Sequence, residues 1–157
     1  MMGDVINRNL KIITILAVIG IIISSFLLYL KMSGGESFCD FSAEISCDAV
    51  SQSPYAELPP NSGIPIAGLG IIAFLLYIIP SIWLMKAKEK ILGMEKKTIH
   101  YLLLAWGVFS LIFYAYLTYL ELYVIYAICP LCVVEAIITI VMFIFIVYNV
   151  KIMRDES

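Results

Sequence analysis

Four long apolar runs separated by polar segments set the pattern of this chain. Leu10 to Leu30 is almost unbroken Ile, Leu and Val, and Ile64 to Leu84, Ile99 to Tyr119 and Pro130 to Tyr148 repeat that character. Each approaches the roughly 20 residues that an α-helix needs to cross a bilayer. The pattern therefore predicts an all-α integral membrane protein, a four-transmembrane-helix bundle forming one domain over residues 1–157. The predicted spans are approximately 10–30, 64–84, 99–119 and 130–148. A cleaved signal peptide is the alternative for the first run, since Arg8 and Lys11 give it a positive start. Its apolar stretch exceeds the usual ~7–15 residues and no A-x-A site follows, so a retained helix is expected. Gly63-Ile64-Pro65 suits a helix start, because proline is tolerated in the first turn. Pro80 predicts a kink near the far end of the second span.

The longest polar segment, residues 31–63, holds Ser33-Gly34-Gly35, five acids from Glu36 to Glu57, and Pro59-Pro60. Ala43, Cys47 and Val50 fall at helical spacing within Ser42–Leu58, which predicts a short amphipathic helix there. The loop as a whole is expected to fold and lie against the membrane. Residues 85–98 and 120–128 make shorter connections, and 149–157 a polar tail.

Charge orients this framework. Arg8 and Lys11, then Lys86, Lys88, Lys90, Lys96 and Lys97, then Lys151 and Arg154 make nine of the ten Lys and Arg; Lys31 is the tenth. Cytoplasmic loops carry the positive excess. Both termini and the second connection are thus expected in the cytoplasm, with the first loop and the 120–128 connection outside. An apolar content of 62%, against roughly 45–50% for soluble chains, agrees with a multi-pass protein of the cell membrane. No basic tract suggests a nucleic acid partner.

The same topology puts all four cysteines, Cys39, Cys47, Cys129 and Cys132, on the outer side. Two pairs in an oxidising compartment read most simply as disulfides. A disulfide in Cys129-Pro130-Leu131-Cys132 closes almost the shortest loop available, so it is a poor staple and a common redox centre. A helix beginning near Pro130 puts Cys132 in its first turn, where free N–H groups and the macrodipole favour a thiolate. Four thiolates also suit zinc, but eight positions separate Cys39 from Cys47, wider than the usual ligand spacing. The economical reading is a relay: a polar-loop pair within reach of a soluble protein, and a membrane pair within reach of a small hydrophobic oxidant. A structural membrane protein with stapled outer loops is the rival from another class.

Phe38-Cys39-Asp40, Ile45-Ser46-Cys47-Asp48-Ala49-Val50 with Ser53-Pro54-Tyr55, Gly63-Ile64-Pro65, and Tyr119-Leu120-Glu121-Leu122 leading to Ile128-Cys129-Pro130-Leu131-Cys132 together resemble the vitamin K epoxide reductase family, and most its short prokaryotic members. The resemblance implies a four-helix bundle around a quinone of the ubiquinone or menaquinone type, capped by the outer loop and using no metal. It further implies that Cys132 reduces the quinone, that Cys129 forms a transient mixed disulfide with Cys47, and that Cys39 exchanges with a thioredoxin-fold protein, DsbA-like or protein disulfide isomerase-like. Some relatives carry that partner as a fused domain; here it is expected in trans. The animal enzymes have a tyrosine where this chain has Ala136, so quinone reduction is expected rather than epoxide reduction. In the unrelated four-helix quinone-coupled oxidases of the bacterial periplasm, the active C-x-x-C lies in the first outer loop.

Other residues carry separate expectations. Glu135, one turn past Cys132, is an ionisable group inside a span and so a functional candidate. A charge there would oppose a thiolate at Cys132, so it is expected to be protonated or neutralised by a partner, and to help deliver protons to reduced quinone. Tyr114, Tyr116, Tyr119, Tyr123 and Tyr126 fit an interfacial aromatic belt. One or two of them with Phe113, Tyr116 and Tyr119 being the candidates, are expected to line the quinone pocket. Asn61 and Ser62 are candidate polar contacts. Glu121 is expected to anchor its connector in water, His100 and Trp83 to sit at the membrane interface, and Trp106 to pack in the core.

Overall fold

The computed structural model describes residues 2–34, 38–86, 90–91 and 94–155. Gly35, Glu36, Lys88 and Ser157, which contribute to the patterns above, lie outside the described residues. Four long helices form the body: α1 (Met2–Ser33), α3 (Ile66–Lys86), α4 (Lys96–Leu120) and α5 (Pro130–Asp155). All four are long and apolar enough to cross a membrane. Each extends past its apolar run, because a helix closes its hydrogen bonds within the segment and continues into polar residues in water. The proline-marked start is met at α3, where the Pro65 carbonyl accepts the Gly68 and Leu69 N–H groups (3.0 and 3.3 Å). Helix α3 continues through Pro80. The second connection pairs β1 (Lys90–Ile91) with β2 (Met94–Glu95), two residues each.

Helix α1 is central, packing along α3 and also on α5, while α4 packs mainly on α5. The backbones of α3 and α4 approach each other less, and side chains bridge the seam between them. Isoleucines and aromatics such as Ile15, Ile22, Ile72, Phe109, Ile112 and Ile144 are exposed on the outside of the bundle, a surface matched to lipid rather than water. Lipid removes the usual apolar drive for helix association, leaving close packing and interhelical hydrogen bonds. Both are present. The Phe74 ring fills the notch left by Gly20. Tyr77 donates to Ser110 (2.9 Å), Trp106 Nε1 to the Ala73 carbonyl (3.3 Å), and Asn9 to Asn149 (2.7 Å).

His100 is not an interface residue. It is buried at the end of the bundle opposite the cysteines, with Nδ1 2.9 Å from the Lys96 carbonyl. Its helix begins four residues earlier, which turns the ring inward.

The first loop folds over the other end. Its helix is shorter than expected: α2 covers Cys47–Ser51, followed by a 3-10 turn at Pro54–Ala56. Ser46 caps α2 by accepting the Ala49 N–H (2.9 Å). Gln52 donates to the Leu30 carbonyl (2.9 Å), and Lys31 pairs with Glu57 (3.2 Å), so the loop is fastened to the end of α1.

Candidate active site

A small backbone clasp brings the cysteine segments together. Ser46 N–H donates to the Ile128 carbonyl (3.1 Å) and Ile128 N–H to the Glu44 carbonyl (2.8 Å), pairing Ile45 with Ile128 in parallel. Cys47 and Cys129 follow those two residues closely, so their positions are set together. Cys39 and Cys47 are joined in a disulfide with Cα atoms 5.7 Å apart, whereas Cys129 and Cys132 are free. Cys129 Sγ lies 3.6 Å from Cys47 Sγ. Three sulfurs are therefore in sequence, Cys39 bonded to Cys47 and Cys47 against Cys129. The disulfide also removes two of the four sulfurs that a tetrahedral zinc site would take.

Cys129 occupies the N-cap of α5, with Pro130 as its first residue. Its sulfur accepts the N–H of Cys132 (3.2 Å), as a serine oxygen does in an ordinary cap. The first-turn N–H expected to favour charge on Cys132 is thus donated to Cys129 instead. The accessible loop pair expected from sequence is corrected too: Cys39 is 2% exposed and Cys47 fully buried. Their neighbours Phe38 and Phe41 are the exposed groups. The loop is polar in sequence, but folding onto α1 turns its cysteines inward.

A cavity of about 330 Å³ lies under the loop, bounded by α1, α3, α4 and the start of α5. That is the size of a small-molecule site. One face of α4 supplies the aromatic part of its wall, through Trp106, Phe109, Phe113 and Tyr114 with Leu117, at the three- and four-residue spacing of a single helical stripe. The rings of Trp106 and Phe109 stack at 5.3 Å, those of Phe109 and Phe113 at 6.4 Å. Ile72 of α3 and Phe109 of α4 line the cavity while remaining more than half exposed, so it opens sideways between these two helices. Cys132, Glu121 and Glu135 contribute reactive groups to the same wall-to-wall space.

Glu135 does find partners. Ser24 donates to its Oε1 (2.5 Å) and Tyr114 to its Oε2 (3.4 Å). Ser24 reaches across from α1 beside Gly70, where a Cβ would sit 2.8 Å from the serine oxygen. The glycine keeps that hydroxyl in place. Of the tyrosines, Tyr114 lines the cavity with Phe113; Tyr116 and Tyr119 do not. They fall on the far side of α4, 43% and 55% exposed, and Tyr119 stacks on Tyr123 at 5.2 Å. Asn61 and Ser62 also lie away from the cavity, exposed in a turn. Asn61 takes a left-handed conformation (φ 61°) and Ser62 accepts the Ile64 N–H (3.2 Å), both roles of turn residues.

Glu121 reverses its expectation. It is buried, and its Oε2 accepts the Cys129 N–H (3.2 Å). The chain does not leave the helix near Tyr119; it runs on through a π-helical turn, Glu121–Ile125, that ends at left-handed Tyr126 (φ 56°). Glu121 therefore keeps the inward phase of Tyr114 and Leu117. The sequence pattern left Tyr55 and Phe109 unnoticed as cavity residues and Ser24 as the partner of Glu135, and gave Trp106 only a packing role. The spacing of Trp106, Phe109, Phe113, Leu117 and Glu121 was the available signal.

No individual curated protein matches the chain. Residues 11–147 match the model of the vitamin K epoxide reductase family, which spans all four long helices and all four cysteines, and the chain belongs to that family.

Proposed function

We propose that this protein is a quinone-dependent thiol oxidoreductase that oxidises a thioredoxin-fold partner and so supports disulfide formation in exported proteins. The charge pattern supports both termini lying in the cytoplasm and all four cysteines outside it. The observation that carries the reading is the 3.6 Å contact of Cys129 with a closed Cys39–Cys47 disulfide, next to a Cys132 that borders an apolar cavity open between two membrane helices.

The partner's thiolate attacks Cys39, breaking its bond to Cys47; the partner's second thiol then closes the partner's own disulfide and leaves two reduced loop cysteines. Cys47 thiolate attacks Cys129 of a closed Cys129–Cys132 disulfide and expels Cys132. Cys39 then displaces Cys129 from Cys47, re-forming the loop disulfide. Cys129 and Cys132 end as a dithiol, the arrangement of sulfurs found here. A quinone supplies the acceptor of two electrons and two protons that returns this pair to the disulfide. The aromatic stripe of α4 would hold it beside Cys132. Because Cys39 is buried, the partner needs the Phe38–Phe41 segment to lift before it attacks.

Purified protein supplied with a soluble dithiol should reduce ubiquinone or menaquinone. Cys132→Ala should lower that rate by roughly three orders of magnitude or more, as loss of a reacting group does. Unchanged quinone reduction in the variant would overturn the mechanism.

A further inference from the structure

Glu121 borders two cavities. On its inner side it lines the apolar cavity with Cys129 and Cys132. On its outer side it closes a second cavity, of about 220 Å³, whose other walls are Glu44, Leu122, Tyr126 and Ile128. All four of those residues are exposed, so this second cavity belongs to the outer surface. Glu121 is the one described residue common to both. Glu121 is 6% exposed, its Oε2 accepts the Cys129 N–H at 3.2 Å, and it shares the wall of the inner cavity with Cys132. A buried carboxyl that shares one cavity with a reactive thiol and borders an outer cavity on its other side has the two connections of a proton carrier.

We propose that Glu121 carries the proton to and from Cys132 and exchanges it with the outer aqueous side through the Glu44 cavity. When Cys47 attacks Cys129, the Cys47–Cys129 bond forms and the Cys129–Cys132 bond breaks, its electron pair leaving on Cys132. Protonated Glu121 then gives its proton to that sulfur, breaking O–H and forming S–H, and regains one from outer water. When Cys132 is next oxidised, its proton returns to the carboxylate by the same path. Other titratable groups facing this step are Glu135 deeper on α5, Tyr114 on α4, Tyr55 of the first loop, and Glu44 and Tyr126 in the outer cavity. Lys31 of α1 also lines the inner cavity, with its charge held by Glu57 at 3.2 Å.

The inference rests on the thiol relay of the proposed function, but its test needs no quinone. Protein with both disulfides closed is mixed with dithiol, and reduction of Cys129–Cys132 is followed by quenched alkylation and mass shift. Glu121→Gln, whose amide oxygen still accepts the Cys129 N–H, should slow this exchange about a hundredfold at neutral pH. It should also remove the solvent deuterium effect of the wild type and the part of its pH dependence that exceeds ionisation of the attacking thiols. Glu121→Asp, which keeps a carboxyl, should restore part of the rate and both signatures. Exchange in Glu121→Gln at the wild-type rate with an unchanged isotope effect would overturn the inference while leaving quinone reduction intact. The converse result, a Glu121-dependent exchange with no quinone reduced by wild type, would instead remove the quinone reading. If Glu121→Gln does not fold, a wild-type rate with no isotope effect and no pH dependence beyond that of the attacking thiols would overturn the inference.

Discussion

Both ends of the bundle bury polar side chains, but only one end equips them for chemistry. Away from the cysteines, Asn9 of α1 pairs with Asn149 of α5 at 2.7 Å, and Ser81 and His100 are buried at the same end on the other two long helices. At the cysteine end, Ser24 and Tyr114 hold Glu135, and Glu121 holds Cys129. Amides cannot give or take a proton near neutral pH. His100 can, but its Nδ1 is engaged by Lys96 and it lines neither cavity described above. A polar residue inside a span is therefore insufficient to mark a site. An ionisable group bordering both space and a reactive sulfur is the more informative feature.

The contrast is open to direct attack. The largest effect should come from Glu135→Gln, which keeps acceptor and volume but loses the exchangeable proton. Quinone turnover should fall about a hundredfold, the usual contribution of a positioned acid or base. Turnover unchanged across the pH range would reduce Glu135 to a packing residue like those at the far end. At that end, Asn149→Leu strips Asn9 of its acceptor and leaves a buried donor unpaired, costing about 1–3 kcal/mol. Thermal unfolding should shift accordingly, while turnover of the folded protein should stay near wild type. A large loss of turnover there would mean that the two ends are coupled.

The smallest effect concerns the loop clasp outside the spans. The Glu57 carboxyl is held below the usual carboxylate range, first by the Gly63 N–H (2.8 Å) and then by Lys31. A carboxyl lowered on folding stabilises the loop above its unfolded value, and the benefit is lost as pH falls through the lowered folded value. Acidification should therefore loosen the loop modestly and raise amide hydrogen exchange in it once the intrinsic pH dependence of exchange is divided out. Glu57→Gln should show the looser loop at neutral pH and lose that acid dependence.

How far the sequence led can be judged residue by residue. Spacing and position single out Cys129 and Cys132, and an ionisable group within an apolar run singles out Glu135; all three border the cavity. Tyr116, Tyr119, Asn61 and Ser62 were placed from proximity in sequence, which does not settle which side of a helix or turn a group faces. Glu121 was assigned to water because the third apolar run fades near Tyr119. The helix instead continues through a π turn, and two residues of extra helix exchange an exposed acid for a buried one.

Four membrane helices, their charge bias and the common sidedness that it implies are properties of local composition. Each segment's transfer into lipid sums contributions from its own residues, so the chain can be read piece by piece. The contact of Cys47 with Cys129, 82 positions apart, has no such local origin. It depends on the Ile45–Ile128 clasp and on α1 carrying the loop over the bundle. The cavity likewise exists because α3 packs chiefly on α1 and α4 on α5, leaving a seam between α3 and α4 that side chains bridge. Which acids meet which sulfurs was decided there, since a three-ångström contact requires several helices to share one geometry, and none of them specifies it alone.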